Sequence, residues 1–146
     1  MYNDRTNKGY KKSNYKGQGP AVRAKEIRID NFSDMAEKVM DSYGDNIRVT
    51  SSQIRPFLAM VNHIAEGSVK AQGPLTDIEL GEIQYLKTRL VYSAGKERDT
   101  ATFVEKADIL AFLDRITQSK DREEIQLLGK YFESLVAFHK FKGGRD

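Results

Sequence analysis

Apolar residues recur at intervals of three and four from residue 33 onward, the spacing that gathers them on one face of an α-helix. Between 33 and 43 the stripe is Met35, Ala36, Val39, Met40 and Tyr43, with Asn31 or Ser33 placed to cap its start and Gly44 to end it. A second helix opens at Thr50 with a Thr-Ser-Ser-Gln capping box and carries Ile54, Phe57, Leu58, Val61 and Ile64 inward. Pro56 lies inside it, where it removes a backbone donor, so a kink or a late start is expected. Residues 66–75 hold two glycines and a proline and read as a loop. A capping box at Thr76-Asp-Ile-Glu79 starts a third helix over 76–94 that Gly95 ends, and 96–99 is a charged connector. A third box at Thr102 starts a helix over 102–117, and Ser119 caps a fifth over 120–141 that Gly143-Gly144 stops. No alternating run predicts a strand. The expected fold is all-α, a single five-helix bundle over 29–146.

Two of these helices depart from a one-sided pattern. On the third, Ile83, Leu86, Leu90 and Ala94 form the packing stripe, and Leu80 and Val91 widen it. Tyr85, Arg89 and Tyr92 lie nearly opposite, and Lys96 continues that line if the helix outlasts Gly95. On the fifth, Ile125, Leu128, Phe132, Leu135 and Val136 make one apolar stripe and Leu127, Tyr131, Phe138 and Phe141 a second. A helix apolar on both sides is either central to its bundle or packed against another subunit.

Charge changes the picture at the N-terminus. Seven basic residues against Asp4 make residues 1–25 strongly positive, whereas the remaining 121 residues carry 17 basic and 20 acidic side chains. The overall charge of +3 is therefore a property of this segment. Residues 1–28 are expected to be a flexible basic tail, rich in Asn, Gly, Lys and Ser; its interleaved Tyr2, Tyr10 and Tyr15 suit either RNA stacking or a simple solubilising tail. Any nucleic-acid surface on the folded part must be a local patch. The absence of cysteine removes disulfides, thiolate catalysis and the usual zinc sites, and fits a cytoplasmic location. No apolar run is long enough to span a membrane, and no apolar segment follows the N-terminal lysines as in a secretory signal.

The motifs of enzyme chemistry are nearly missing. There is no HExxH, calcium-loop or phosphate-loop pattern, so neither a metal nor a cofactor nor a small-molecule substrate is expected. His139 projects from an apolar stripe and reads as a core residue, His63 as a surface one; an acid–base pair of the two is the only catalytic arrangement available. Candidates for binding are more numerous: Arg48 and Arg55 around the second helix, Tyr85, Arg89 and Tyr92 on the third, then Lys96, Arg98, Lys140, Lys142 and Arg145. Arginine offers paired phosphate contacts and tyrosine a stacking face. Tyr85 and Tyr92 suit packing against a neighbouring helix equally well.

Three stretches in order, TSSQIRPFL (50–58), EIQYLKTRLVYSAGK (82–96) and YFESLVAFHKFKGG (131–144), resemble the small subunit of type III-A (Csm) CRISPR effector complexes. The resemblance covers about 32–144. It implies a non-catalytic subunit, copies of which stack as a filament beside the backbone subunits that carry the CRISPR RNA. Such copies line the channel of the guide–target duplex and touch RNA through basic side chains, with the large signature subunit as a further partner. On that resemblance Arg55, Lys87, Arg89 and Lys96 are the RNA-contacting candidates. Arg48, Tyr92, Arg98, Lys140 and Lys142 are added from the pattern of residues. The competing expectations are a protein–protein adaptor without RNA contact and a ribonuclease built on His63 and His139.

Overall fold

The structure is a computed structural model that describes residues 19–146. The described chain is all-α, with a short 3-10 turn at Ala24–Glu26 and six α-helices: α1 (Phe32–Asp41), α2 (Ser51–Val69), α3 (Asp77–Lys96), α4 (Arg98–Lys106), α5 (Ile109–Ser119) and α6 (Arg122–Phe141). The class expected from the pattern is borne out; the helix count is one higher. The residues that resemble a single helix over 102–117 belong to two. Thr102 caps nothing, because α4 has already begun at Arg98 behind an extended Glu97. The break between α4 and α5 falls at Asp108, whose backbone is left-handed (φ 56°), a conformation that Asp tolerates better than most residues. Two distant partners hold it there. Asp108 Oδ2 accepts from the Ala24 amide at 2.7 Å, and the buried Tyr131 hydroxyl donates to the Ala107 carbonyl at 2.8 Å.

The other corrections are local. Residues 96–99 are not a free connector, since α3 continues through Gly95 to Lys96 and only Glu97 separates it from α4. Pro56 does not delay α2, which starts at Ser51 with both halves of the Thr50 box formed. Asp121 rather than Ser119 caps α6, its side chain accepting from the Glu123 amide. The described part of the segment expected to be tail, residues 19–28, lies against the body: Val22, Ala24 and Ile27 are buried, and Arg115 of α5 donates to the carbonyls of Ala24 and Ile27. The tail expected over 1–18 lies outside the described residues.

The two-sided helix α6 is the central one, packed against α1, α2 and α5. Leu127 and Tyr131 of its second stripe are buried, with Tyr131 stacked on Phe112 at 5.9 Å, while Phe141 at its end is exposed. Each buried Leu, Ile or Phe contributes about 1.5–3 kcal/mol by leaving water, and among the described residues thirty hydrophobic ones are buried in one continuous core. α2 and α6 run antiparallel, so the chain brings the start of α2 to the end of α6. There Ser51 donates to the Arg145 carbonyl at 2.8 Å and His139 to the Val49 carbonyl at 2.7 Å. At the opposite end Arg122, opening α6, meets the end of α2 and the start of α3.

Candidate RNA-facing edge

α3 folds back along α2, and one contact fixes their register: His63 Nε2 lies 3.6 Å from Glu82 Oε2. Arg55 stands eight residues before His63, so it is level with residue 90, eight after Glu82. Glu82, Arg89 and Lys96 are spaced by sevens, which keeps them within about 20° per step of one helical line. Because Glu82 faces α2, Arg89 and Lys96 lie on the same side of α3. The residues on the His63 side of α2, Ala59, Pro56 and Ser52, are small and exposed. Arg89 and Lys96 are exposed and have no ion-pair partner among the described residues; Lys96 sits over the Tyr92 ring at 5.5 Å. Arg55 is exposed and donates through Nε to the Ser51 hydroxyl at 2.7 Å.

The α3–α4 corner continues the edge. Arg98 is exposed at the start of α4, and Arg48 reaches Asp99 at 3.4 Å. Tyr92 is 64% exposed and is not packed into the bundle. Tyr85, 58% exposed, lines an apolar groove of ≈ 580 Å³ between α2 and α3 together with Met60, Ile64 and Ile78. Lys140 is exposed on α6. Two of the predicted lysines sit apart from this edge. Lys87 is half-buried, about 140° around α3 from Glu82, and faces Asp114 of α5 at 3.7 Å. Lys142 is held between Glu37 at 3.0 Å and Asp41 at 2.9 Å, and those two hydrogen bonds, Asp41 first, raise the pKa of its ammonium above 10.5.

The histidines do not converge as an acid–base pair. His139 is 2% exposed and its Nε2 is taken by the Val49 carbonyl, whereas the His63 side chain is 78% exposed. Among the described residues no group of three or more His, Asp or Glu is placed to hold a metal, and no helix is long and apolar enough to cross a membrane.

Pattern reading missed two structural arginines, of which Arg122 sets where α3 begins. Arg122 is buried, donates to the carbonyls of Gly73 and Pro74, and pairs with Glu79. Its signal was a basic residue at a helix start, against the macrodipole. Arg115 makes a two-point ion pair with Glu124 while holding the N-terminal segment; mid-helix, it carried no local signal.

The described residues form a small all-helical body with an exposed, basic, partly aromatic edge along α3. Comparison with known proteins is specific. The model of the family "Csm2 Type III-A" matches residues 26–145. The "CRISPR system Cms protein Csm2" of Streptococcus thermophilus is 36% identical over 122 residues, covering 80% of this chain and 95% of that one. The Mycobacterium tuberculosis (H37Rv) protein of the same name is 28% identical over 120 residues, with the same shares. The chain belongs to the Csm2 family, the small subunit of the type III-A CRISPR effector complex.

Proposed function

We propose that this subunit is a non-catalytic, structural one, whose copies stack as a filament along the guide–target RNA duplex in antiviral defence. Its edge of Arg55, Arg89, Tyr92, Lys96, Arg98 and Arg48 contacts the RNA backbone without reading sequence. Sequence selection is left to base pairing between guide and target. The partners are the CRISPR RNA, the target RNA, further copies of the chain, the backbone subunits and the large subunit, and the setting is the cytoplasm. The observation that carries this reading is that Arg89 and Lys96 are exposed one heptad apart along α3, without an ion-pair partner among the described residues, with the exposed Arg55 at the same level of α2. Lys140 adds a further exposed cation. Lys87 and Lys142 join only if RNA draws them from Asp114 and from Glu37 and Asp41.

The test is RNA binding by the full chain and by the effector complex carrying Arg55→Ala, Arg89→Ala and Lys96→Ala together. The expected result is weaker, still sequence-independent binding with a salt slope shallower by roughly two to three, about one phosphate contact per side chain. Parental binding and slope would overturn the assignment of this edge. One observation favours a second reading, the protein–protein adaptor: Tyr85 lines an apolar groove. Photocrosslinking from positions 85 and 92 in the assembled complex separates the two, to protein under the adaptor reading and to RNA at 92 under the first.

A further inference from the structure

We infer that His139 is a positioning residue for the basic edge, and that Arg145 is a further RNA-backbone contact which it places there. This rests on the proposed RNA-binding role. The imidazole is buried, and so is the Val49 it bonds, but the chain on either side of these contacts carries exposed arginines. Its Nε2 donates to the carbonyl of Val49, at 2.7 Å, between Arg48 and the Thr50 helix cap. The turn after α6 then folds over the ring: the Gly144 amide donates to the His139 carbonyl at 2.7 Å, and Gly144 has no room for a side chain against the imidazole. That turn delivers the Arg145 carbonyl to the Ser51 amide at 2.8 Å and the Asp146 carbonyl to the Ser52 hydroxyl at 2.7 Å. Ser51 is also the partner of Arg55. One buried ring thus ties together the segment bearing Arg48 and the turn bearing Arg145, on either side of the helix turn that carries Arg55. Three exposed arginines at one corner offer paired donors to successive phosphates. An apolar side chain at 139 would fill much of the same core volume and keep the backbone bond from Gly144, but it would leave the Val49 carbonyl unpaired and remove the ring that links the two segments.

The experiment compares the full chain with Arg145→Ala, His139→Leu and His139→Gln, whose amide retains a donor for Val49. Binding to a short unstructured RNA is measured across a salt series, with thermal melting and amide exchange at Ser51 and Ser52 in parallel. Arg145→Ala is expected to reduce the salt slope by about one with an unchanged melting temperature. His139→Leu is expected to reduce it by about two, through Arg48 and Arg145 together, with faster exchange at Ser51 and Ser52, and His139→Gln to restore most of both. A folded His139→Leu protein that binds with the parental affinity and slope makes the histidine merely structural and overturns the inference. So does an Arg145→Ala variant with the parental slope. If the parent chain shows no salt-dependent RNA binding, the functional reading fails and this inference with it; if the parent binds and only these variants are silent, this inference fails alone.

Discussion

Arg122 and Glu79 form the ion pair on which three helices converge, Nη1 to Oε2 at 2.5 Å, with both side chains largely buried. Glu79 also closes the capping box of α3 by accepting from the Thr76 amide at 3.0 Å. The same guanidinium holds the carbonyls of Gly73 and Pro74 in the α2–α3 loop. The pair therefore fixes where α3 leaves that loop, and with it the line along which Glu82, Arg89 and Lys96 are displayed.

Removing the guanidinium strands a partly buried carboxylate and two carbonyls. Arg122→Ala is expected to cost about 3 kcal/mol, read as a lower urea midpoint with an unchanged slope. The hydrogen bond from Arg122 is the largest cause holding the Glu79 carboxyl below its usual 4.5. A carboxyl depressed in the folded state adds stability above its unfolded pKa and loses it as pH falls through the folded value. The parent should therefore lose stability as the pH drops below about 4.5. Glu79→Gln should be less stable at neutral pH and show a flatter acid limb; an identical acid limb would sink this account.

The break at Asp108 is tested in the same way. Asp108→Ala keeps a left-handed backbone that alanine disfavours and deletes the bond to the Ala24 amide. A loss of about 2 kcal/mol is expected, combining strain with an unmade hydrogen bond. Asp108→Asn tolerates the backbone and keeps an acceptor, so its melting temperature should fall much less. Equal losses in the two variants would show that strain at this position is not what the aspartate relieves.

Much of the fold was legible because it is written locally. Thr50 and Thr76 each stand three residues before a Gln or Glu at the mouth of an apolar stripe, and both boxes form. Thr102 stands in the same pattern and caps nothing, because Glu97 turns the chain first. The split at Asp108 was illegible for a different reason. Its determinants are the bonds from Ala24 to Asp108 and from Tyr131 to Ala107, which span 84 and 24 residues of sequence, beyond any window of periodicity. The candidate edge divides along the same line. The heptad spacing of Arg89 and Lys96 is local and visible. Which neighbour they face, and that Lys142 is already claimed by Glu37 and Asp41, depends on α2 and α1.

Lys142 and Arg89 should consequently behave in opposite ways. The Lys142 ammonium is occupied by two carboxylates and ties the end of α6 to α1. Lys142→Ala is expected to lower the melting temperature while leaving the salt slope of RNA binding unchanged. Arg89 is exposed, without an ion-pair partner among the described residues. Arg89→Ala should leave melting unchanged and flatten the slope by about one. A reversed pattern would mean that RNA displaces the two carboxylates from Lys142, and that the RNA path runs over α1 rather than α3.

Gly143 and Gly144 end α6 side by side but for different reasons, and alanine substitution separates them. Gly143 has φ +91° with open space where a Cβ would be. Gly143→Ala should therefore cost only the backbone strain, roughly 1–2 kcal/mol. Gly144 carries no such φ, but a Cβ there would overlap the His139 imidazole. The ring must then give up the Val49 carbonyl, or the turn must open and withdraw the Arg145 and Asp146 carbonyls from Ser51 and Ser52. Overpacking of this kind costs about 1–3 kcal/mol, comparable with the strain at 143, so melting alone does not tell the two apart. Amide exchange does. Gly144→Ala is expected to accelerate exchange at Ser51 and Ser52 beyond what its loss of global stability explains, and Gly143→Ala to accelerate it only in proportion to that loss. If the two variants exchange alike, contact between Gly144 and the histidine ring is not what seats the end of the chain on α2.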